Sequence, residues 1–421
     1  MTFAESMDYI RSFSKSGRPV KDLSRIRSLL EELENPQKQL RFVHIAGTNG
    51  KGSTLALSSA AAIEAGFKTG QFTSPYMIRY NDRIRINGQD IPDERLAALC
   101  TRVAQCHVAA ECSQFEVTFA IALLYFLEEK CDLVFLETGV GGLLDATNVI
   151  EFPLVSVITS ISSDHTALLG KTLPEITAQK AGIIKEGCPV IASADNDEAV
   201  LKQIQSIAQK KSAPLMIPDF CDCRVISEKL TETRFQYHSM EYTLKMPGMH
   251  QVSNAMTAIE IVRILSMHGY LISAQNVADA FRHVQVPARI QLIEEDPPVL
   301  LDGSHNQSSV LALADVLRTA KRYPVVLICG MLESKDYKTS GAILAQTADF
   351  VICADDFAEG AVPFEKLAEC FREYCPVKHL PLREALPYAK QLAAGENGIV
   401  VISGSLYLAS HFLSNGDTNA C

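Results

Sequence analysis

The sequence predicts an α/β protein, a larger domain with a mostly parallel sheet followed by a smaller α/β domain. Three observations carry this reading. Short apolar, β-rich runs alternate with helix-length segments along the chain. One run, Phe42-Val43-His44-Ile45-Ala46, feeds directly into a glycine loop, Gly47-Thr48-Asn49-Gly50-Lys51-Gly52-Ser53. A second set of alternating runs begins beyond the acidic, proline-bearing stretch Glu294-Glu295-Asp296-Pro297-Pro298, which is hostile to helix.

In the first set, strands are expected at 42–46, 70–73, 133–137, 154–159 and 189–192, with helices at 53–65, 93–107, 115–129 and 198–209. Residues 219–246 change character: 224–227 and 233–245 alternate polar and apolar residues with Tyr and Phe, as an antiparallel ribbon does. In the second set, strands are expected at 299–302, 324–329, 350–354 and 398–403, and helices at 308–320 and 364–374. The expected domains are therefore 1–293 and 299–421, joined by a linker at 294–298. The second is Rossmann-like but has no glycine fingerprint of its own.

Bulk properties exclude several classes. The 421 residues suffice for two or three domains, and 47% hydrophobic with 21% charged residues is ordinary for a soluble globular protein. Net charge is −10, with no long Lys/Arg block, so no nucleic-acid partner is expected. The N-terminal Met1-Thr2-Phe3-Ala4-Glu5-Ser6-Met7-Asp8 has neither the basic region nor the apolar core of a secretory signal. The longest apolar run, Val117 to Leu127, is broken by Thr118 and is too short to cross a bilayer. A cytoplasmic protein with no membrane partner is expected. The 12 cysteines are scattered without a Cys-x-x-Cys, which reads as reduced packing thiols.

The glycine loop is built like a phosphate cradle, or P-loop. Glycines let backbone N–H groups turn toward an anion, and the helix that follows adds its positive end. Lys51 supplies a point charge for the β- and γ-phosphates of a nucleotide, and Ser53 a hydroxyl for Mg²⁺. The usual pattern has glycine where Ile45 stands and Ser or Thr where Gly52 stands. Farther on, Thr73-Ser74-Pro75-Tyr76 leads into a stretch holding Arg79, Asn81, Asp82, Arg83 and Arg85. Glu137 ends a strand just before Gly139-Val140-Gly141-Gly142. A carboxylate at that edge is a hard oxygen donor suited to Mg²⁺. His165 also lies past a strand end, and Lys180 sits fifteen residues on, in Gln179-Lys180-Ala181-Gly182.

The loop string resembles the ATP loop of folylpolyglutamate synthases and dihydrofolate synthases, a branch of the Mur ligase superfamily. The resemblance extends in order over residues ~40–410 through independent motifs. Ser74-Pro75 resembles the family's Ser-Pro-His, with Tyr76 in place of histidine. Leu144-Asp145-Ala146-Thr147-Asn148 resembles Asp-Ala/Ser-Thr-Asn, with Leu143 where arginine is common. His250-Gln251-Val252-Ser253-Asn254-Ala255, Pro287-Ala288-Arg289, Leu301-Asp302-Gly303-Ser304-His305-Asn306 and Gly404-Ser405-Leu406-Tyr407 continue the series, with Ala288 where the family has glycine.

The resemblance implies a set of roles. Gly47, Thr48, Asn49, Gly50, Lys51, Gly52, Ser53, Asn254, Arg289, Asp302 and His305 are expected to bind the nucleotide. Ser53, Ser74, Glu137, His165 and Lys180 are expected at two Mg²⁺ sites, with Lys180 carbamylated by CO₂. Thr118 and Asp145 are expected on the substrate side, and Lys51, His165, Lys180 and Arg289 in catalysis. The implied reaction is ATP-dependent ligation: a substrate carboxylate becomes an acyl phosphate, and the amine of L-glutamate displaces phosphate. The acceptor is a reduced folate, extended through its γ-carboxyl, and dihydropteroate in the companion reaction. The family often uses K⁺ and suggests a monomer. Two other readings stay open at this point: another Mur-type ligase acting on a UDP-linked precursor, and a protein that binds ATP without ligating anything.

Overall fold

The run Phe42–Ala46 is a strand with every residue buried, as an unbroken apolar run requires of a strand covered on both faces. It is β1 of the computed structural model, which describes residues 1–13, 22–395 and 397–414. Its sheet also contains β2 (Thr69–Phe72), β3 (Ile84–Ile86), β4 (Gln89–Asp90), β5 (Leu133–Glu137), β6 (Val155–Ile158), β7 (Val190–Ala192) and β8 (Leu215–Met216). The spatial order is β4-β3-β2-β5-β1-β6-β7-β8. The six strands from β2 to β8 in that order are parallel, while β3 and β4 turn back antiparallel at one edge. The chain leaves β1 for β2 on one side and later reaches β6 on the other. The order thus reverses at β1, and its C-terminal end is where an open α/β sheet receives a ligand.

The helix Gln114–Glu128 is apolar nearly all round and buried from Phe115 to Phe126. Such a helix belongs inside a core. Ser113 and Glu116 cap its start reciprocally, each side chain accepting the other's backbone N–H. Its apolar face packs with Phe72, Leu136 and Phe42 in one cluster, which also takes Ile26 and Leu29 from the helix Ser24–Glu32. No helix among the described residues is long and apolar enough to cross a membrane. The eleven described cysteines are free thiols.

The chain forms two units, one of residues 1–223 and 253–284, the other of 224–252 and 285–421. The ribbon expected at 219–246 is present as β9 (Cys223–Glu228), β10 (Thr233–Tyr237) and β11 (Met240–Leu244). It belongs with the second unit rather than with the first, as the expected domain 1–293 had it. The second sheet holds β12 (Gln291–Glu295), β13 (Pro298–Leu301), β14 (Val325–Cys329), β15 (Phe350–Cys353), β16 (Val377–His379) and β17 (Ile399–Ser403), in the order β12-β13-β17-β14-β15-β16. All neighbours are parallel except β12 and β13.

That antiparallel pair corrects the expected linker. Glu295 pairs with Pro298, so 294–298 holds the turn and the adjoining strand ends of a hairpin inside the sheet. Acidic and proline residues mark a chain reversal, and a reversal serves a hairpin as well as a linker. The helix expected at 364–374 is also shorter, Phe364–Ala368.

Candidate active site

Three segments meet at the C-terminal end of β1. The glycine loop follows β1, and the helix Lys51–Glu64 starts directly after Gly50, which has φ +84°. In that left-handed region glycine is the unstrained residue. A Cβ on Gly50 would also lie 2.3 Å from Asn254 Oδ1, and one on Gly47 would lie 1.8 Å from Thr159 Oγ1. The loop is therefore in contact at two points with side chains that exclude anything larger than glycine.

The exit of β6 holds the loop in place. Thr48 N donates to Ser160 O at 2.7 Å, Thr48 Oγ1 donates to Ser162 O at 3.0 Å, and Ser162 N donates back to Thr48 Oγ1 at 3.0 Å. Thr159 Oγ1 donates to Asn49 O at 2.7 Å. Asn196 fixes this clamp in turn, accepting from Ile161 N at 2.8 Å and donating to Thr159 O at 3.2 Å. Sequence reasoning singles out this stretch only for His165 and misses Thr159, Ser160 and Ser162. Their signal is a polar run immediately past a buried strand. His165 lies three residues beyond Ser162 with φ 50°, and its Nε2 is 3.9 Å from Asp164 Oδ2.

Two lysines converge on one carbonyl. Lys51 Nζ donates to Gly47 O and Thr48 O, both at 3.2 Å, and Lys180 Nζ donates to Gly47 O at 2.7 Å. Lys180 is only 4% exposed, in the last turn of the helix Leu173–Ala181. Glu137, the buried last residue of β5, lies with Oε1 3.7 Å from Lys51 Nζ, and its Oε2 accepts from Ser74 N at 3.4 Å. Ser53 is buried in the first turn of the loop's helix. The structure thus brings Lys51, Lys180, Glu137 and Ser74 together around Gly47.

The two residues expected on the substrate side sit differently. Thr118 is fully buried; its Oγ1 donates to Gln114 O at 2.6 Å and bonds to the Tyr80 hydroxyl. Its hydroxyl is part of the core, because position 118 falls on the inward side of a helix buried all round. Asp145 is buried and accepts from four nearby donors: Gly139 N (2.9 Å), Val140 N (3.0 Å), Thr147 N (3.1 Å) and Thr147 Oγ1 (2.6 Å). Burial raises its pKa against the pull of those bonds. The carboxylate organises the turn after Glu137 and is already satisfied.

His44 extends this network, and sequence reasoning passes over it. Its Nε2 lies 2.8 Å from Thr147 Oγ1. That hydroxyl donates to Asp145, so it accepts from His44, which places the proton on Nε2. Nδ1 is buried without a partner. Burial first, and then the charge of Lys185, push the imidazole pKa down to about 3. The signal is a histidine in an otherwise apolar strand.

The neutral His44 has a consequence for acid stability. Between pH 6.5 and about 3 the unfolded chain binds a proton that the folded chain does not. Stability from this group is complete above pH 6.5 and falls as pH drops through that window. Asp145, shifted upward, works in the opposite direction in both proteins compared. His44→Gln should therefore lose less melting temperature than the wild type between pH 7 and 4.5. Equal losses in thermal melts would remove His44 from the account.

On the second unit, Asp302 follows β13. Its Oδ2 accepts from Ile290 N and its Oδ1 from Ser304 N, both at 2.9 Å. Burial raises its pKa, with the bond from Ser304 and the nearby Arg289 charge opposing. His305 Nδ1 is 2.8 Å from Gly303 O. Ala288 has φ 54°, a conformation glycine adopts more readily. Asn254 belongs to the first unit, where Thr54 Oγ1 donates to its Oδ1 at 3.5 Å.

Known proteins are similar to this chain over nearly its whole length. Residues 45–262 match the Mur ligase middle domain and residues 288–406 the Mur ligase glutamate ligase domain. The chain is 34% identical over 412 residues to the dihydrofolate synthase/folylpolyglutamate synthase of Bacillus subtilis, covering 92% of this chain and 93% of that one. It is 33% identical over 430 residues to the folylpolyglutamate synthase of Lacticaseibacillus casei, 97% of each. The chain belongs to the folylpolyglutamate synthase/dihydrofolate synthase family. Among solved members of this family, the apo form of L. casei FPGS superposes with a TM-score of 0.84 at 28% identity over 99% of both chains. E. coli FolC in complex with DHPP and ADP gives 0.83 at 27%, over 98% of this chain and 97% of that one. As a member of the family the protein is an ATP-dependent ligase.

Proposed function

We propose that the protein joins L-glutamate to the γ-carboxyl of reduced folates, and to dihydropteroate in a second reaction. The observation that carries this is the gathering of Lys51, Lys180, Glu137 and Ser74 around Gly47. It occurs in a chain similar end to end to a relative named for both activities. The solved FolC complex with DHPP and ADP supports the second acceptor.

Lys51 withdraws from the Gly47 and Thr48 carbonyls to meet the terminal phosphates of ATP, where its charge offsets that developing on the transferring phosphoryl group. Loop N–H groups and the N-terminus of the helix Lys51–Glu64 hold the remaining oxygens. The acceptor carboxylate attacks the γ-phosphorus; the P–O bond to ADP breaks, leaving an acyl phosphate. The glutamate amine attacks the acyl carbon and phosphate departs. Arg289, Asp302, His305 and Asn254 are the further nucleotide-binding candidates, Arg289 because its planar fork suits phosphate oxygens.

Oxygen donors at Ser53, Ser74 and Glu137 fit Mg²⁺, with His165 and a carbamylated Lys180 as candidates for a second ion. Mg²⁺ bound there would neutralise phosphoryl charge. Asp145 and Thr118 act on the acceptor side through the turn and the Tyr80 contact they support. On this reading the protein works as a cytoplasmic monomer.

The test is phosphate release with MgATP and L-glutamate, in bicarbonate and K⁺, with tetrahydrofolate or dihydropteroate supplied separately. Release with both is expected. Release with tetrahydrofolate alone would remove the second activity, and silence with both would sink the assignment.

A further inference from the structure

The turn that carries Arg289 has an uncommon backbone. Ala288 has φ 54° and Ile290 φ 49°, so Arg289 stands between two non-glycine residues in the left-handed region. That region is disfavoured for residues with a side chain, and most for a β-branched one. Such a turn persists only where its neighbours over-determine it. Three ties do so on the β13 side. Gly303 N donates to Ala288 O at 2.9 Å, and Ile290 N donates to Asp302 Oδ2 at 2.9 Å. The Ile290 side chain is buried in one cluster with Leu300, Val310 and Leu313.

The fourth tie comes from a side chain. Gln291, the first residue of β12, accepts from Ala288 N through its Oε1 at 3.1 Å. Ala288 is fully buried. Without that acceptor its N–H has no water to turn to, and an unpaired buried donor is costly. The chain can escape the cost by letting Ala288 leave the left-handed region, and any such rotation swings Arg289, the next residue. Arg289 itself takes no part in the ties. Among the described residues its guanidinium has no hydrogen bond and no ion pair. Its charge nonetheless reaches two neighbours. Burial first, and then Arg289, push the His250 pKa down to about 4, and Arg289 opposes the rise that burial gives Asp302. The turn is thus fixed at both ends while its central side chain is left open to a ligand.

We infer that Gln291 is a positioning residue for Arg289: by holding the Ala288 N–H it keeps the turn in the left-handed form that aims the guanidinium at the phosphates of the nucleotide. The inference rests on the proposed role of Arg289 as a nucleotide ligand. Gln291 touches no substrate on this reading; it acts through the backbone of the turn. Ala288 stands where the resemblance has glycine. Glycine would hold the left-handed form without strain, so alanine makes this chain depend on the Gln291 tie.

The experiment is a double-variant cycle on the full chain with Gln291→Met, Gln291→Glu, Arg289→Ala and the pair Gln291→Met with Arg289→Ala. It is read by kcat/KM for ATP and by the affinity for AMPPCP, which needs no acceptor and so still reports if the folate reaction fails. Gln291→Met keeps the length and removes the acceptor; it should lower kcat/KM about 10- to 100-fold, the cost of a misplaced group. Gln291→Glu keeps an acceptor oxygen and should stay within about threefold of wild type. Arg289→Ala should lose at least as much as Gln291→Met. The pair should fall within about twofold of Arg289→Ala alone, because a residue that acts only through Arg289 has nothing left to act on. AMPPCP affinities should follow the same order. Thermal melts show which variants fold, and Gln291→Ala gives the same comparison if the Met variant does not. Losses that multiply in the pair would overturn the inference, as would a Gln291→Met protein equal to wild type or a Gln291→Glu protein as impaired as Gln291→Met. Arg289→Ala at wild-type turnover and AMPPCP affinity would instead fail the reading of Arg289 as a nucleotide ligand, and the inference with it.

Discussion

Lys180→Ala should lower kcat by about 10³-fold while leaving ATP affinity within about threefold, the signature of a group used in the reaction rather than in binding. The expectation comes from a charge problem at Gly47. Two ammonium groups donate to one carbonyl, and Lys180 is almost wholly buried. A buried cation next to Lys51 would repel any Mg²⁺ brought to Glu137 and Ser74. If the ammonium gave up a proton and the amine then added CO₂ with release of a second proton, the cation would become an anion and the conflict would be removed. Lys180→Arg separates this from a structural role, because arginine keeps both the charge and a donor for Gly47 O but cannot take up CO₂. If Lys180 only holds the loop, arginine should restore activity and alanine should weaken ATP binding as much as turnover. If the carbamate is the working form, both variants stay inactive. Turnover by wild type should then also fall when bicarbonate is removed.

Much of the fold is legible in the sequence because strand and helix patterns speak locally. β1 and β5 have the expected bounds, since each is a short apolar run bordered by a polar residue or a glycine. The illegible parts depend on partners distant in sequence. The alternating pattern reveals the ribbon of β9 to β11 but not its allegiance to the second unit, because nothing in such a pattern names the surface it joins. The acidic proline stretch announces a break between regular elements. Whether that break is a linker or a hairpin depends on the strands either side of it, and the pairing of Glu295 with Pro298 makes it a hairpin.

The site divides along the same line. Residues placed by the loop itself, such as Lys51 and Gly50, lie where the spacing puts them. Residues set by neighbours are less legible. Asp145 reads as a substrate contact, yet its oxygens accept from Gly139, Val140 and Thr147 within its own turn. Thr118 is expected on the substrate side, and the structure buries its hydroxyl against Gln114 O and the Tyr80 hydroxyl.

Gly47→Ala should abolish ATP-dependent turnover, by at least about 100-fold, although the new side chain is a single methyl. Its Cβ would fall 1.8 Å from Thr159 Oγ1 and 3.3 Å from Ser160 O. Either Thr159 turns its hydroxyl away and gives up its bond to Asn49 O, or the backbone moves by about 1 Å, and a displacement of that size at reacting groups costs on the order of 10² in rate. The movement would also break the clamp, since Thr159 Oγ1 donates to Asn49 O and Thr48 is tied to Ser160 and Ser162. The damage traces to one atom, the Thr159 hydroxyl oxygen. Removing that atom with Thr159→Ala in the Gly47→Ala background should recover part of the lost activity, and only part, because the Thr159 Cβ remains 3.0 Å away. Thr159→Ala alone should be the mildest of the three, losing one hydrogen bond to the loop but no space. Kinetics on the four proteins would show the coupling directly. If the double variant is no better than Gly47→Ala, the glycine is required for its approach to the phosphates and not for its fit against Thr159.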